Sequence, residues 1–264
     1  MGKVDKFKQE RLYTTHISKD GDVAKVIEYN SNSDVLIEFQ DKYKAKIHTN
    51  WSHIVNGQIK NPYYPRIYNR GMAGEKYITY QNGDNIKEYH TWYNLFIRCY
   101  DEKAFIKHGT YAQCEVCDEW YLYENFYEWL HQQENFTQWL NNPDWDIDKD
   151  IIIKGNKIYT PDNCSLVPKN VNMLFLTNKQ IRGPYPIGVT YDKRIDRYVA
   201  RCNNPLTEKR EYLGRYNSVT QAFLAYKKRK EQIIKQVAEQ EYNKGNIIKK
   251  CYEAMMDYQV EITD

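Results

Sequence analysis

Residues 187–216, IGVTYDKRIDRYVARCNNPLTEKREYLGRY, and residues 218–240, SVTQAFLAYKKRKEQIIKQVAEQ, decide how this chain is read. Strand signals at 187–192, 197–203 and 210–216 are separated by DKRID and NNPLTEK, the pattern of short antiparallel strands joined by polar turns. Ser218 with Gln221 three positions on forms a capping box. The helix it opens places Ala222, Tyr226, Ile233 and Val237 on one stripe. Three strands and a helix make one small unit, and a last helix, IIKKCYEAMMDY, leads into an acidic tail.

Charge sets this unit apart from what precedes it. Residues 181–250 carry 16 Lys and Arg against 7 Asp and Glu, whereas residues 101–150 carry 3 against 12. A surplus of nine positive charges is an electrostatic footprint for a polyanion, since each phosphate neutralised releases condensed counterions. The acidic block would repel phosphate unless a cation, a protein partner or the basic block meets it.

Working towards the N-terminus, WDIDKDIII at 145–153 alternates as a strand does, turns at Lys154-Gly155-Asn156 and returns as KIY. A Pro161-started turn then leads into a helix over PKNVNMLFL. EYHTWYNLFIRCY (88–100) sets Tyr89, Trp92, Phe96 and Cys99 at helical spacing, and a second helix follows the CEVC turn with Trp120, Tyr123, Phe126 and Trp129 or Leu130 inward. Residues 61–77, with two Pro and two Gly, read as a connector. VAKVIEY, VLIEF and KYKAKI predict a three-stranded meander, closed on one side by Trp51 and Ile54. The first twenty residues are polar and aperiodic, a mobile arm or one short strand.

The 264 residues suffice for two compact units, and 41% hydrophobic with 15% aromatic residues excludes wholesale disorder. The 25 Tyr suit wet surfaces that skirt nucleic acid, and equally a codon bias towards Tyr, Asn, Ile and Lys. No apolar run reaches the length of a membrane span and no signal-peptide core begins the chain, so a soluble, cytoplasmic protein is expected. Six scattered Cys read as reduced thiols.

Gly188-Val189, Tyr198-Val199-Ala200, Tyr212-Leu213-Gly214-Arg215-Tyr216, Ala222 and Ala225-Tyr226 resemble the APETALA and ethylene-response-factor DNA-binding domain over residues 183–242. The resemblance implies a three-stranded sheet laid in the major groove of double-stranded DNA, with a helix on its back. Alternation then turns Tyr198, Ala200, Cys202 and Leu213 to the helix, and Val199, Arg201, Asn203, Arg210 and Tyr212 to DNA. The contact positions that match are Arg194, Arg201, Asn203, Arg210 and Tyr212. Ile187, Thr190 and Asp192 stand where that family usually has arginines, and the 192–197 turn is one residue longer.

The centre resembles phage-encoded relatives of His-Asn-His homing endonucleases. The likeness is carried by Trp92, Arg98-Cys99-Tyr100, Val116-Cys117, Glu119-Trp120, Asp148-Lys149-Asp150, Gly155-Asn156, Tyr159-Thr160-Pro161-Asp162-Asn163-Cys164, Val167-Pro168 and Asn172. It implies catalytic candidates Asp148, Lys149, Asp150 and Asn156, and a magnesium or manganese ion held by Asp148, Asp150, Asn163 and Asn172. The family's general-base His is missing: all six His precede residue 132, and Tyr159 takes the place of the central Asn. Asp146, Asp148 and Asp150 at alternate strand positions would share one face, where like charges invite a cation. Zinc is not expected, because Cys114-x-x-Cys117 is half of a tetrahedral set that Cys99, His108 or Cys164 would have to complete.

The expected protein is α+β: a polar arm (1–20), a small antiparallel β domain (21–60), a connector (61–87), a nuclease-like α+β domain (88–180), the APETALA-type domain (183–242), and a C-terminal helix with acidic tail (243–264). The leading functional expectation is a phage- or prophage-encoded double-stranded DNA-binding protein acting in the bacterial cytoplasm. Two others stand beside it: a metal-dependent DNA-nicking endonuclease, and a non-catalytic regulator or adaptor whose acidic middle binds a protein.

Overall fold

The computed structural model describes residues 3–107, 113–176 and 183–264. It is mixed α+β, and the chain divides into two units, Met1–Glu128 and Trp129–Asp264.

The first unit opens with helix α1 (Lys3–Arg11), followed by strands β1 (Thr15–Ile17), β2 (Val23–Ser31), β3 (Asp34–Phe39) and β4 (Lys46–Thr49) in one antiparallel sheet of order β1-β2-β3-β4. Ala24, Val26 and Tyr29 on β2 and Val35, Ile37 and Phe39 on β3 are buried with Ala45, Ile54 and Ile59. A register shift between Val26 and Glu28 carries the inward set from Val26 to Tyr29. Two expectations change here. The polar arm carries a helix ahead of the one short strand that was among its expected readings, because Arg11 lies over the rings of Phe7 and Trp51, 4.3 Å from each, and donates to the Tyr29 hydroxyl at 2.9 Å. The meander has four strands, and its last begins at Lys46 because Asp41 Oδ1 accepts from the amides of Tyr43 and Lys44 and holds that stretch in a turn.

The rest of the unit comprises α2 (Trp51–Val55), the hairpin β5 (Tyr80–Gln81) and β6 (Asp84–Asn85), α3 (Lys87–Tyr100), α4 (Glu102–Lys107), β7 (Glu115–Val116), a 3-10 turn (Asp118–Tyr121) and the start of α5 (Tyr123–His131). Of the residues the spacing placed inward, α3 buries Trp92, Phe96 and Cys99, together with Leu95, and leaves Tyr89 half-buried; Trp120, Tyr123 and Phe126 are buried too. The Trp92 indole donates to the Trp120 carbonyl at 2.7 Å, which satisfies its one polar atom inside an aromatic core.

The second unit holds α6 (Phe136–Asn141), β8 (Trp145–Asp148), β9 (Ile158–Tyr159), β10 (Ser165–Pro168), α7 (Lys169–Asn172), β11 (Val189–Asp192), β12 (Arg197–Asn204), β13 (Lys209–Tyr216), α8 (Val219–Asn243) and α9 (Lys249–Met256). β11-β12-β13 is an antiparallel sheet against which α8 packs. Ser218 caps α8 by accepting from the Gln221 amide, and Ala222, Tyr226, Ile233 and Val237 are buried as their stripe predicted. β8 pairs with β10, register Trp145 to Pro168, and not with the KIY return. The helix expected over PKNVNMLFL is only the four residues of α7; Leu174 is buried beyond it, while Met173 and Leu176 are each 67% exposed.

The expected boundary between residues 180 and 183 is not a gap in packing. Ile151, Val167, Val171 and Leu174 belong to the same core as Val189, Ala200 and Cys202 of the sheet and Phe223, Ile233 and Ile234 of α8. The division between units falls at Glu128, inside the segment 88–180.

Candidate nucleic-acid interface

The sheet β11-β12-β13 has one covered face and one open one. Val189, Ala200 and Cys202 are buried in the core beneath α8, with Tyr198, Leu213 and Tyr216 packed against it. Thr190 pairs with Val199 and Val199 with Arg215; Arg201 pairs with Tyr212 and Asn203 with Arg210. These rows form the opposite face. Asn203, Arg210, Tyr212 and Arg215 are exposed and Arg201 half-buried. Val199, expected to be exposed, is buried: it is on the central strand, flanked by Thr190 on one side and Arg215 on the other.

A β-bulge sets which residues reach this face. Register shifts between Ala200, opposite Gly214, and Arg201, opposite Tyr212, so β13 carries one extra residue. Gly214 has φ +125°, a backbone region that favours glycine. Strict alternation from Tyr212 would send Arg215 inward; the bulge sends it outward with Tyr212. Arg215 is the outer-face cation the sequence reading missed, and the signal was the Leu-Gly pair beside it.

The arginines differ in freedom. Arg194 forms a fork with Asp192, Nε to Oδ1 at 3.1 Å and Nη2 to Oδ2 at 2.9 Å, and this pairing holds the Asp192 carboxyl below its usual range. Arg201, Arg210 and Arg215 make no ion pair among the described residues. On the covered side, the Glu211 carboxylate takes both arms of Arg229 from α8 and the Asn204 amide at 2.7 Å.

The central candidates are arranged differently from the expectation. β8 ends at Asp148, so Asp150 lies beyond the strand and the three carboxylates do not form a continuous strand face. Asp148 is buried, and its Oδ1 accepts from the amides of Asp150 at 2.8 Å and Ile151 at 2.7 Å. Burial, then the neighbouring Asp150 charge, pushes its carboxyl up to about 7. Lys149 is also buried; its Nζ is 3.3 Å from Asp150 Oδ2 and 5.7 Å from the Tyr159 ring centroid. Asn156 donates to the carbonyls of Lys149 and Ile158, closing the loop between β8 and β9. Asn163 lies in the turn where its amide meets Thr160 Oγ1, and Asn172 ends α7; both are half-buried. Among the described residues no group of three or more His, Cys, Asp or Glu is placed to hold a metal ion. Cys99, Cys114 and Cys164 are buried and outside any disulfide among the described residues, and His108 lies outside the described residues.

Much of the acidic block serves the chain's own backbone and cations. Glu124 Oε1 accepts from the amides of Glu75 and Lys76 and from the Tyr63 hydroxyl. Glu128 pairs with Lys76, Asp101 accepts from the Ala104 amide and the Tyr68 hydroxyl, and Asp144 pairs with Lys169.

No protein-family profile, curated protein or solved structure matches this chain. Among the described residues, no helix is long and apolar enough to cross a membrane.

Proposed function

We propose that the protein binds double-stranded DNA by laying the open face of β11-β12-β13 in the major groove. The observation that carries this reading is the set Arg201, Arg210 and Arg215, three guanidinium groups without ion pairs among the described residues, on the sheet face opposite α8. Guanidinium forks match both phosphate oxygens and the guanine edge, and Asn203 brings an amide that matches adenine. The outer strands of a three-stranded sheet stand about 10 Å apart, close to the roughly 12 Å width of the major groove. The positive surplus of residues 181–250 supports the same partner.

Titration of a fluorescent duplex with the full chain between 50 and 200 mM salt tests it, a range over which counterion release separates electrostatic docking from other contacts. Arg201→Ala and Arg210→Ala are each expected to weaken binding and to reduce the salt slope by about 1. Affinity unchanged in both variants would reject this face.

A further inference from the structure

β11 stops pairing at Val189, opposite Ala200, while β12 runs on to Asn204. The Arg201 amide donates to the Gly188 carbonyl at 2.9 Å, and alternation in an antiparallel strand points the Asn203 peptide group to that same side, where no strand follows among the described residues. The space left beside this edge is a groove of about 600 Å³. Its lining includes the apolar Met173, Leu174 and Leu176 together with Arg201, Asn203, Arg210 and Lys230 of α8.

The charge of the groove is one-sided. Among the described residues, Arg201, Lys209, Arg210 and Lys230 line it against the single carboxylate of Glu208. Lys230 is half-buried and makes no hydrogen bond or ion pair among the described residues. Burial holds its ammonium below the usual lysine range, so a bound anion would relieve an uncompensated charge. Met173 and Leu176 leave large apolar side chains exposed at the same place, a surface that suits a flat uncharged body better than it suits water. A cavity of this size, lined by apolar side chains together with a few polar and cationic ones, has the form of a small-molecule site.

We propose that this groove holds one nucleotide unit, its base against Met173, Leu174 and Leu176 and its phosphate on Lys230 with Arg201 and Arg210. Neither an inorganic anion nor an uncharged nucleoside uses both the apolar and the cationic parts of this lining. The nucleotide comes from one of two sources, the free monophosphate pool or a base swung out of the duplex held on the adjoining sheet face. Only the second source rests on the DNA-binding reading above.

Isothermal titration of the full chain with AMP and dAMP, and with adenosine and inorganic phosphate as fragments, tests the shared chemistry. The monophosphates are expected to bind at least tenfold more tightly than either fragment. Lys230→Met and Leu176→Asp, the latter at an exposed position that does not endanger folding, should each lower that affinity at least tenfold. Arg215→Ala, outside the groove, should leave it unchanged while weakening duplex binding. A second arm places 2-aminopurine in the duplex: a rise in fluorescence on binding, absent in Lys230→Met, assigns the duplex as source, and saturable monophosphate binding without that rise assigns the free pool. Absence of both signals, or monophosphate affinity unaltered in Lys230→Met and Leu176→Asp, would overturn the site. Duplex binding that persists in that case would leave the DNA-binding reading standing.

Discussion

Arg229 on α8 holds Glu211 on β13 through two hydrogen bonds, Nε to Oε2 at 2.5 Å and Nη2 to Oε1 at 2.8 Å. The fork ties the helix to the strand that carries Arg210, Tyr212 and Arg215, and it pushes the Glu211 carboxyl down to about 2, with the Asn204 amide adding to the effect. A depressed carboxyl contributes stability that is complete above its unfolded value and is lost as pH falls through the folded one. Both side chains are about a quarter exposed, and solvent screening limits the pair to about 1 kcal/mol. Glu211→Gln should therefore unfold about 1 kcal/mol more easily in urea at pH 7. The difference from the parent should shrink as pH falls from about 4.5 towards 2, and a difference independent of pH would show that the fork contributes nothing.

Gly188 makes a sharper prediction. Its φ is +78°, and a Cβ built there would stand 2.0 Å from Cδ2 of Tyr226, a ring that is itself in the core. Neither the backbone region nor the space accepts a side chain, and the same residue supplies the carbonyl that Arg201 uses. Gly188→Ala should lower the unfolding free energy by 3 kcal/mol or more, on the order seen when strain and overpacking combine. Thermal melts read by circular dichroism would check it, and a melting temperature within a degree or two of the parent would refute the close packing of Gly188 on Tyr226.

What could be read from the sequence, and what could not, follows from the range of the interactions. The Ser218 cap, which accepts from the Gln221 amide, and the Ala222, Tyr226, Ile233, Val237 stripe are local patterns on one helix, and the structure contains them as read. Arg215 was hidden because a bulge depends on how β13 meets β12, which alternation along one strand does not encode. α1 has no apolar stripe to announce it; Arg11 docks on Phe7 and Trp51, and Trp51 is forty residues away. The 145–150 stretch alternates like a strand, yet the Asp148 side chain competes for the amides of Asp150 and Ile151 and ends it. The four-residue α7 belongs to the same class: its own Val171, and Leu174 just beyond it, are recruited into a core built mainly by the C-terminal sheet and helix.

Arg194 and Arg215, whose charges both act on Asp192, should behave differently towards DNA. Arg194 is engaged by Asp192 in a fork, whereas Arg215 has no ion pair among the described residues. Moving Arg194 to a phosphate would uncover the Asp192 carboxylate beside it. Arg215→Ala is accordingly expected to lower the salt slope of duplex binding by about 1, and Arg194→Ala to lower it by less than half of that. Asp192→Asn should free Arg194 and strengthen binding. If Arg194→Ala proves the more damaging substitution, DNA approaches the 192–197 turn and not the bulged side of the sheet.

Asp148 gives a pH dependence of the opposite sign to Glu211. Its carboxyl is raised to about 7, first by burial and then by the Asp150 charge, although two backbone amides act to lower it. The folded state therefore holds a proton that the unfolded chain has released between about pH 4 and pH 7, and stability falls as pH rises through that window. An asparagine keeps the oxygen that accepts from the amides of Asp150 and Ile151, while its NH2 can donate to the Asp150 carboxylate. Asp148→Asn should match the parent near pH 4 and exceed it at pH 8 by an amount on the order of 2 kcal/mol. Urea unfolding at both pH values measures this. A variant less stable than the parent at pH 8 would mean that Asp148 is ionised in the fold and held by a cation, and the magnesium or manganese site implied by the nuclease resemblance would then be the first explanation to test.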